Sequence, residues 1–417
     1  MTSIVNNKLR IYRIQMGIIL LFSAVVLFVR CGENSTNNSD VDILHINPLD
    51  AKEFVNLSEI ADSIQCIKLQ TEADEPIGRI GKVIIKEKYI YVTDYTQGVV
   101  FVFDKKGKFV TKLNKMGRGP DEYVRLGKIL IDDDEEYIEM FVFNEILTYS
   151  NISFKLIERK SFPRLSFNSW KKQDDLYYFA PMNQDNEVNG KNTNSGLLIV
   201  DNQKNIKVLF DKNIETNNSY YSLDPESFTT NDKGELFVSF MFDNTFYRLE
   251  AGEAYPVFTV DFGKKSIDKS IGMKSTQEQM EYIKKQTGWA GLPSLNINNT
   301  NMMSFSYFFK QSAIDVGFFR EEDFRFYMKM KENNRSFHAM YMKNDLTNFP
   351  NKIYPNRIFF SYCLHDVWYK NYLVDIVTPD SYMNANNLSD EILVDGIGKI
   401  TAMDNPIVVM IKLKENQ

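Results

Sequence analysis

Past residue 60 this chain repeats itself, and a short repeat written in β-strand leaves few folds open. The clearest unit spans residues 89–113. In it Tyr89-Ile90-Tyr91-Val92 and Val99-Val100-Phe101-Val102-Phe103 read as strands, Asp104-Lys105-Lys106-Gly107 as a turn and residues 108–113 as a third strand. Asp-x-x-Gly between apolar runs signals a hairpin, because glycine supplies the positive φ that the turn needs. The rhythm recurs at residues 137–157, 176–210, 236–260 and 324–342. A further unit begins at Arg357-Ile358-Phe359-Phe360, continues through Val367 to Tyr369 and is completed by residues 405–413. Such units cannot bury their apolar faces alone, and all-β units of roughly 40–60 residues that pack around an axis are propeller blades. The spacing predicts an all-β, six-bladed β-propeller over residues 62–417. The early strand at residues 64–69 belongs to no unit. It is expected to pair beside the C-terminal strand, closing the last blade and covering an exposed edge.

Composition agrees with strand and narrows the partners. The 417 residues include 31 Phe and 22 Tyr against 12 Pro, a bias toward pleated surfaces. Hydrophobic residues make up 43%, enough for a sizeable core. With 49 Lys and Arg against 55 Asp and Glu the formal net charge is −6, which argues against nucleic acid as a partner.

The first 31 residues carry an address. Lys8, Arg10 and Arg13 precede an apolar stretch from Met16 to Val29, well short of the roughly 20 residues of a membrane span. It stops at Cys31, and Gly32-Glu33-Asn34-Ser35-Thr36-Asn37-Asn38-Ser39-Asp40 follows. This layout looks like a bacterial lipoprotein signal, which implies Cys31 as the lipidated N-terminus of an outer-membrane lipoprotein. Arg30 stands where that class has a small residue, and an uncleaved N-terminal anchor is the alternative. Residues 32–61 then form a polar tether and stem. Cys66 and Cys363 sit in apolar runs, either as small core residues or as a disulfide pair.

Five segments resemble a known family. Ile77-Gly78-Arg79-Ile80-Gly81-Lys82-Val83, the strands at 89–94 and 101–109, and Met116-Gly117-Arg118-Gly119-Pro120-Asp121-Glu122-Tyr123 are similar to the six-bladed, NHL-like β-propeller lipoproteins of Bacteroidota. Asp404-Asn405-Pro406 with its apolar strand matches that family's closing motif. The resemblance implies the propeller fold and export.

Several residues are candidates for function. Arg118 and Glu122 lie in the glycine-rich loop between the first two units, where they either face a ligand or lock adjacent blades. Residues 266–303 break the β rhythm: Ser275-Thr276-Gln277-Glu278 is a capping box opening a helix that Gly288 stops. This helical insertion is expected between blades four and five, with Trp289 offering a stacking surface or pinning the insertion to the rim. His338 is a candidate ligand contact, while His365 reads as a turn residue. Neither histidine has neighbours at metal-ligand spacing. The run Asp132-Asp133-Asp134-Glu135-Glu136 lacks a calcium loop's alternation and reads as a solvated turn. Trp170 and Trp368 read as core.

The expected function is a non-catalytic, envelope-anchored module that binds a glycan, peptide or partner protein, without a cofactor. One alternative is an ion-centred propeller enzyme, a lyase or lactonase-like hydrolase with calcium at the channel centre, for which Asp94, Asn144, Asn183, Asp243 and His338 would have to converge. The other is a structural subunit of an envelope complex.

Overall fold

β-branched and aromatic runs become strands in the computed structural model, which describes residues 41–71, 76–181, 184–211, 227–299, 302–310, 312–319, 336–343, 345, 356–358, 368–385, 391–394 and 396–414. The fold is all-β and propeller-like, a succession of antiparallel sheets. The first is Ile80–Ile85, Tyr89–Asp94, Val99–Asp104 and Phe109–Leu113. The second is Lys128–Ile131, Tyr137–Val142, Glu145–Ser150 and Leu156–Ser161, and the third is Ser169–Gln173, Leu176–Ala180, Leu197–Val200 and Ile206–Leu209. The fourth holds Phe228–Thr230, Leu236–Ser239, Thr245–Glu250 and Glu253–Asp261. The fifth holds Ala290–Asn298, Met302–Phe309, Ser312–Phe319 and Ser336–Lys343. The last comprises Trp368–Tyr369, Tyr372–Val377, Ile407–Leu413 and, from the other end of the chain, Ala61–Lys68.

That last pairing is the closure expected from the sequence: Ile64 lies opposite Ile411 and Lys68 opposite Ile407. The closing segment is longer than expected. Within the stretch read as a stem, Asp42–His45 adds in parallel to Glu253–Asp261, and Lys52–Asn56 adds in parallel to Ser336–Lys343. The N-terminal segment therefore covers the outer edges of the fourth, fifth and last sheets in turn, which satisfies edge groups that would otherwise invite aggregation. Between them, the helical turn Leu57–Ile60 buries Leu57 and Ile60 with Met302 and Leu413.

Apolar cores lie between consecutive sheets. Tyr91 and Val102 of the first sheet pack with Ile138 and Leu147 of the second. Phe141 and Ile146 meet Trp170 and Phe179 across the next junction, and Tyr178 and Leu197 meet Phe228 and Val238 across the one after. Phe246 packs with Phe305, Met302 with Leu373, and Ile90 with Val374 and Val408, which joins the last sheet to the first. The junction around Phe141 is rich in aromatic rings: its ring centroid lies 4.9 Å from that of Phe167, 5.6 Å from Phe162 and 5.6 Å from Phe179. Edge-to-face pairs of this kind contribute beyond their buried area.

The structure corrects three expectations. Residues 290–298 and 302–303 belong to strands of the fifth sheet, not to an insertion, so that unit starts at Ala290 and not at residue 324. Gly291, Pro293 and Asn296 disguise the strand. The register slips between Gly291 and Ser294 and again between Leu295 and Ile297, and such bulges accommodate a proline that a regular ladder excludes. Arg357 and Ile358 pair with Met342 and Tyr341 of the fifth sheet and do not open the last one. The acidic turn is not wholly solvated, because Glu135 adopts a left-handed φ of 57° and turns its carboxylate inward, where it is only 5% exposed.

Candidate functional site

Alternation of strand direction assigns the loops to two ends. In each sheet the first-to-second and third-to-fourth connections share one end. The second-to-third connections and those leading to the next sheet share the other. The first end has tight turns, such as residues 86–88, 105–108, 174–175 and 251–252. Among the described residues, the second carries the helices and added hairpins: the hairpin Asn186–Val188 with Lys191–Thr193, the helix Thr276–Lys285, the helix Pro379–Ala385 and the hairpin Glu391–Val394 with Gly398–Thr401. This elaborated face is the candidate site.

The tight-turn face is closed by its own side chains. The Glu135 carboxylate accepts from Lys88 N at 2.7 Å and from the Tyr91 hydroxyl at 3.1 Å. Asn151 Nδ2 donates to the same Tyr91 oxygen at 2.7 Å and to Glu135 O at 2.8 Å, binding the first two sheets together. Burial pushes the Tyr91 hydroxyl well above its ordinary value, and it stays protonated as the donor that Glu135 requires. Lys105 Nζ lies 3.9 Å above the Tyr369 ring and donates to Lys86 O at 2.7 Å, and burial brings its pKa down to about 8.

On the elaborated face, the loop between the first and second sheets is a lock. Tyr123 is buried and its hydroxyl donates to Gly98 O at 2.7 Å, while Tyr149 of the second sheet donates to Asp121 O at 3.2 Å. Arg159 pairs with Glu145 at 2.6 Å and donates to Glu122 O at 2.7 Å. Glu122 folds back into the loop, accepting from Gly119 N at 2.6 Å, and a Cβ on Gly117 would stand 2.0 Å from Glu122 Oε2. The glycine is what lets the carboxylate occupy that position. Arg118 points out of the same loop and is exposed. The two candidates therefore share a loop without converging.

Other carboxylates on this face are engaged as well. Asp94 is fully buried, and its oxygens accept from Gly78 N at 2.6 Å, Thr96 N at 2.8 Å, Gln97 N at 3.1 Å and Gln97 Nε2 at 3.0 Å. Asp243 accepts from Thr245 N and the Tyr247 hydroxyl at 3.0 and 2.8 Å. The closing Asp404-Asn405 pair clasps the ring. Asn405 accepts from Ile77 N at 2.8 Å and donates to Gln70 O at 2.8 Å, and Asp404 pairs with Lys68 at 2.9 Å. Burial acts to raise the Asp404 carboxyl, but the Thr401 N–H and Lys68 outweigh it and hold the group below its ordinary value. Asn144 is exposed beside Phe143.

The helix Thr276–Lys285 opens on the expected capping box and ends at Lys285, with Gln286 and not Gly288 at its C-cap. Ser275 and Glu278 cap each other's backbone, and buried Gln279 donates to Lys274 O at 2.9 Å. Trp289 is half-buried against Tyr282 of the helix, with ring centroids 6.4 Å apart, a contact that pins the insertion. His338 sits in the strand Ser336–Lys343 opposite Val316. Arg118 and Glu122, Trp289 and His338 thus lie in three separate places. Cys66 pairs in register with Val409, and burial pushes its thiol up to about 12. Cys31, Asn183, Cys363 and His365 lie outside the described residues. Among the described residues no three His, Cys, Asp or Glu side chains gather as metal ligands.

Sequence reasoning missed a different set. Arg79, Arg118, Arg125 and Arg164 are all exposed on loops of the elaborated face that lead into the first strands of successive sheets. Among the described residues no carboxylate pairs with any of them, whereas Arg159 and Arg248 are both ion-paired. Two exposed aromatics accompany them. Tyr95 and Phe143 each stand one residue past the second strand of their sheets and are 48% and 55% exposed. The available signal was positional, an arginine before the first strand and an aromatic after the second in consecutive units.

Fold and site together define a propeller-like all-β protein with one elaborated face. Residues 42–412 match the model of a domain of unknown function, DUF4934, and the chain belongs to that family. The chain is similar in structure to a Bacteroides fragilis protein named for its presumed export, with a TM-score of 0.63 at 16% identity over 89% of this chain and 100% of that one. It is also similar to a DUF4221 member from Bacteroides vulgatus, with a TM-score of 0.46 at 10% identity over 86% of this chain and 98% of that one. Virginiamycin B lyase of Staphylococcus aureus aligns with a TM-score of 0.36 at 9% identity, covering 84% of this chain and 99% of that one. No curated protein sequence matches this chain.

Proposed function

We propose that the protein is an exported, lipid-anchored binding module of the outer membrane, its body a six-bladed, NHL-like propeller and its ligand held on the elaborated face. The observation that carries this reading is the inequality of the two faces. Loops accept insertions where function selects for them, and here the helix Thr276–Lys285, the helix Pro379–Ala385 and two hairpins gather at one end. The sheets named above, each with an apolar core against the next, support six blades, and Ala61–Lys68 supports closure between the chain's two ends. Asp94, Glu122 and Asp243 each accept from structural donors, which supports binding over catalysis at these carboxylates. Export rests on the signal-like residues 1–31 and on the name of the Bacteroides fragilis neighbour. Lipidation at Cys31 provides the membrane contact, and the ligand is a glycan, peptide or envelope protein.

The test is thermal stability of the intact chain in detergent across glycan and peptide panels, with and without chelator. A ligand at 100 times its Kd adds about 2.7 kcal/mol, read as a rise of a few degrees. A rise with one ligand class, unaffected by chelator, supports the binding module. A fall with chelator that calcium reverses replaces it with the ion-centred enzyme.

A further inference from the structure

We infer that the ligand of the elaborated face is an acidic polysaccharide, held by exposed arginine and aromatic side chains at the same end of the first two sheets. This deepens the binding-module reading and rests on it. In the first sheet Ile80 is registered with Asp94, so the next position outward sets Arg79 against Tyr95. The Gly78 N–H bonded to Asp94 holds the two segments together, and the Tyr95 ring lies over Gly81, where any Cβ would come within 2.3 Å of it. In the second sheet the Arg125 guanidinium stacks 4.2 Å from the Phe143 ring centroid. An exposed arginine before the first strand and an exposed aromatic just after the second thus stand at the same end of two consecutive sheets. Arg118 stands on the loop between those units, and Arg164 stands on the loop into the third.

The chemistry of the pairs selects the ligand. Guanidinium matches carboxylate or sulfate geometry with two parallel hydrogen bonds. A ring exposed on one face packs against the apolar C–H face of a sugar. Repetition of both elements from one sheet to the next suits a polymer whose anion and flat face also repeat, which uronate chains provide. A neutral glycan leaves four unpaired arginines unused, and an acidic peptide makes no regular use of the rings.

The experiment is affinity electrophoresis of the intact chain in gels containing polygalacturonate, dextran or polyglutamate, over a range of salt. We expect retardation by polygalacturonate that weakens as salt rises. Arg79→Gln and Arg125→Gln should each weaken it about tenfold, and Tyr95→Ala and Phe143→Ala by about threefold to tenfold. Lys106→Gln on the opposite face should change nothing, and the melting temperatures of all variants should match the parent. Three results overturn the inference: no retardation by polygalacturonate at low salt, retardation that the four variants leave unchanged, and equal retardation by polyglutamate insensitive to Tyr95→Ala and Phe143→Ala. Retardation by dextran alone overturns the acidic ligand while leaving the binding-module reading standing.

Discussion

The two faces of this protein are built from the same strands yet use their polar side chains in opposite ways. On the tight-turn face Glu135, Asn151, Tyr91 and Lys105 close on one another and on backbone groups. On the elaborated face Asp94 and Glu122 are drawn inward, while Arg79, Arg118, Arg125 and Arg164 face solvent. Asymmetry of that kind is not needed for folding. Structural demand accounts for Glu135, Asn151, Tyr91 and Lys105 on the first face, and it leaves Arg79, Arg118, Arg125, Arg164, Tyr95 and Phe143 exposed on the second.

Substitutions can break or sharpen this contrast. The largest effect is expected at Glu135→Ala, which removes a buried acceptor from Lys88 N and the Tyr91 hydroxyl and should cost about 2–3 kcal/mol in denaturant unfolding, with ligand capture intact. Asn405→Ala opens the clasp to Ile77 and Gln70 and should cost about 2 kcal/mol. Tyr123→Phe, losing the hydroxyl bonded to Gly98 O, should cost about 1 kcal/mol. Acid should reveal a smaller effect at Asp404. Its carboxyl is held below the ordinary value in the folded state, so its contribution is complete above the ordinary carboxylate range and is lost as pH falls through the depressed value. Asp404→Asn should flatten that part of the stability–pH curve. The smallest effect belongs to Arg164→Gln, whose stability should stay within about 0.5 kcal/mol of the parent. A loss of 2 kcal/mol there would mean that the arginines are structural after all.

Much of the fold could be read from residue order. The strands at 89–113, the turn at Asp104–Gly107, the capping box at Ser275 and the pairing of residues 64–69 with the C-terminal strand follow from local pattern. What escaped was set by tertiary context. Ala290–Asn298 reads as loop because its bulges tolerate Pro293 and Asn296. Asp42–His45 and Lys52–Asn56 are too short to signal themselves and become strands only against an existing edge. The same limit applied to the site. Motif reasoning drew Glu122 and Trp289 forward, but one is folded into its loop and the other rests on Tyr282. Arg125 lies in no motif and Arg79 stands only within a strand-forming family segment, and their standing depends on which groups nearby are already paired.

The measurement that tests the central claim most directly is hydrogen exchange of the intact chain with and without saturating polygalacturonate. The two-face account predicts added protection at residues 76–81, 95–98, 116–127 and 143–144, with the turns at 86–88, 132–136 and 151–155 unchanged. Protection centred on those turns, with the elaborated face unaltered, would contradict it.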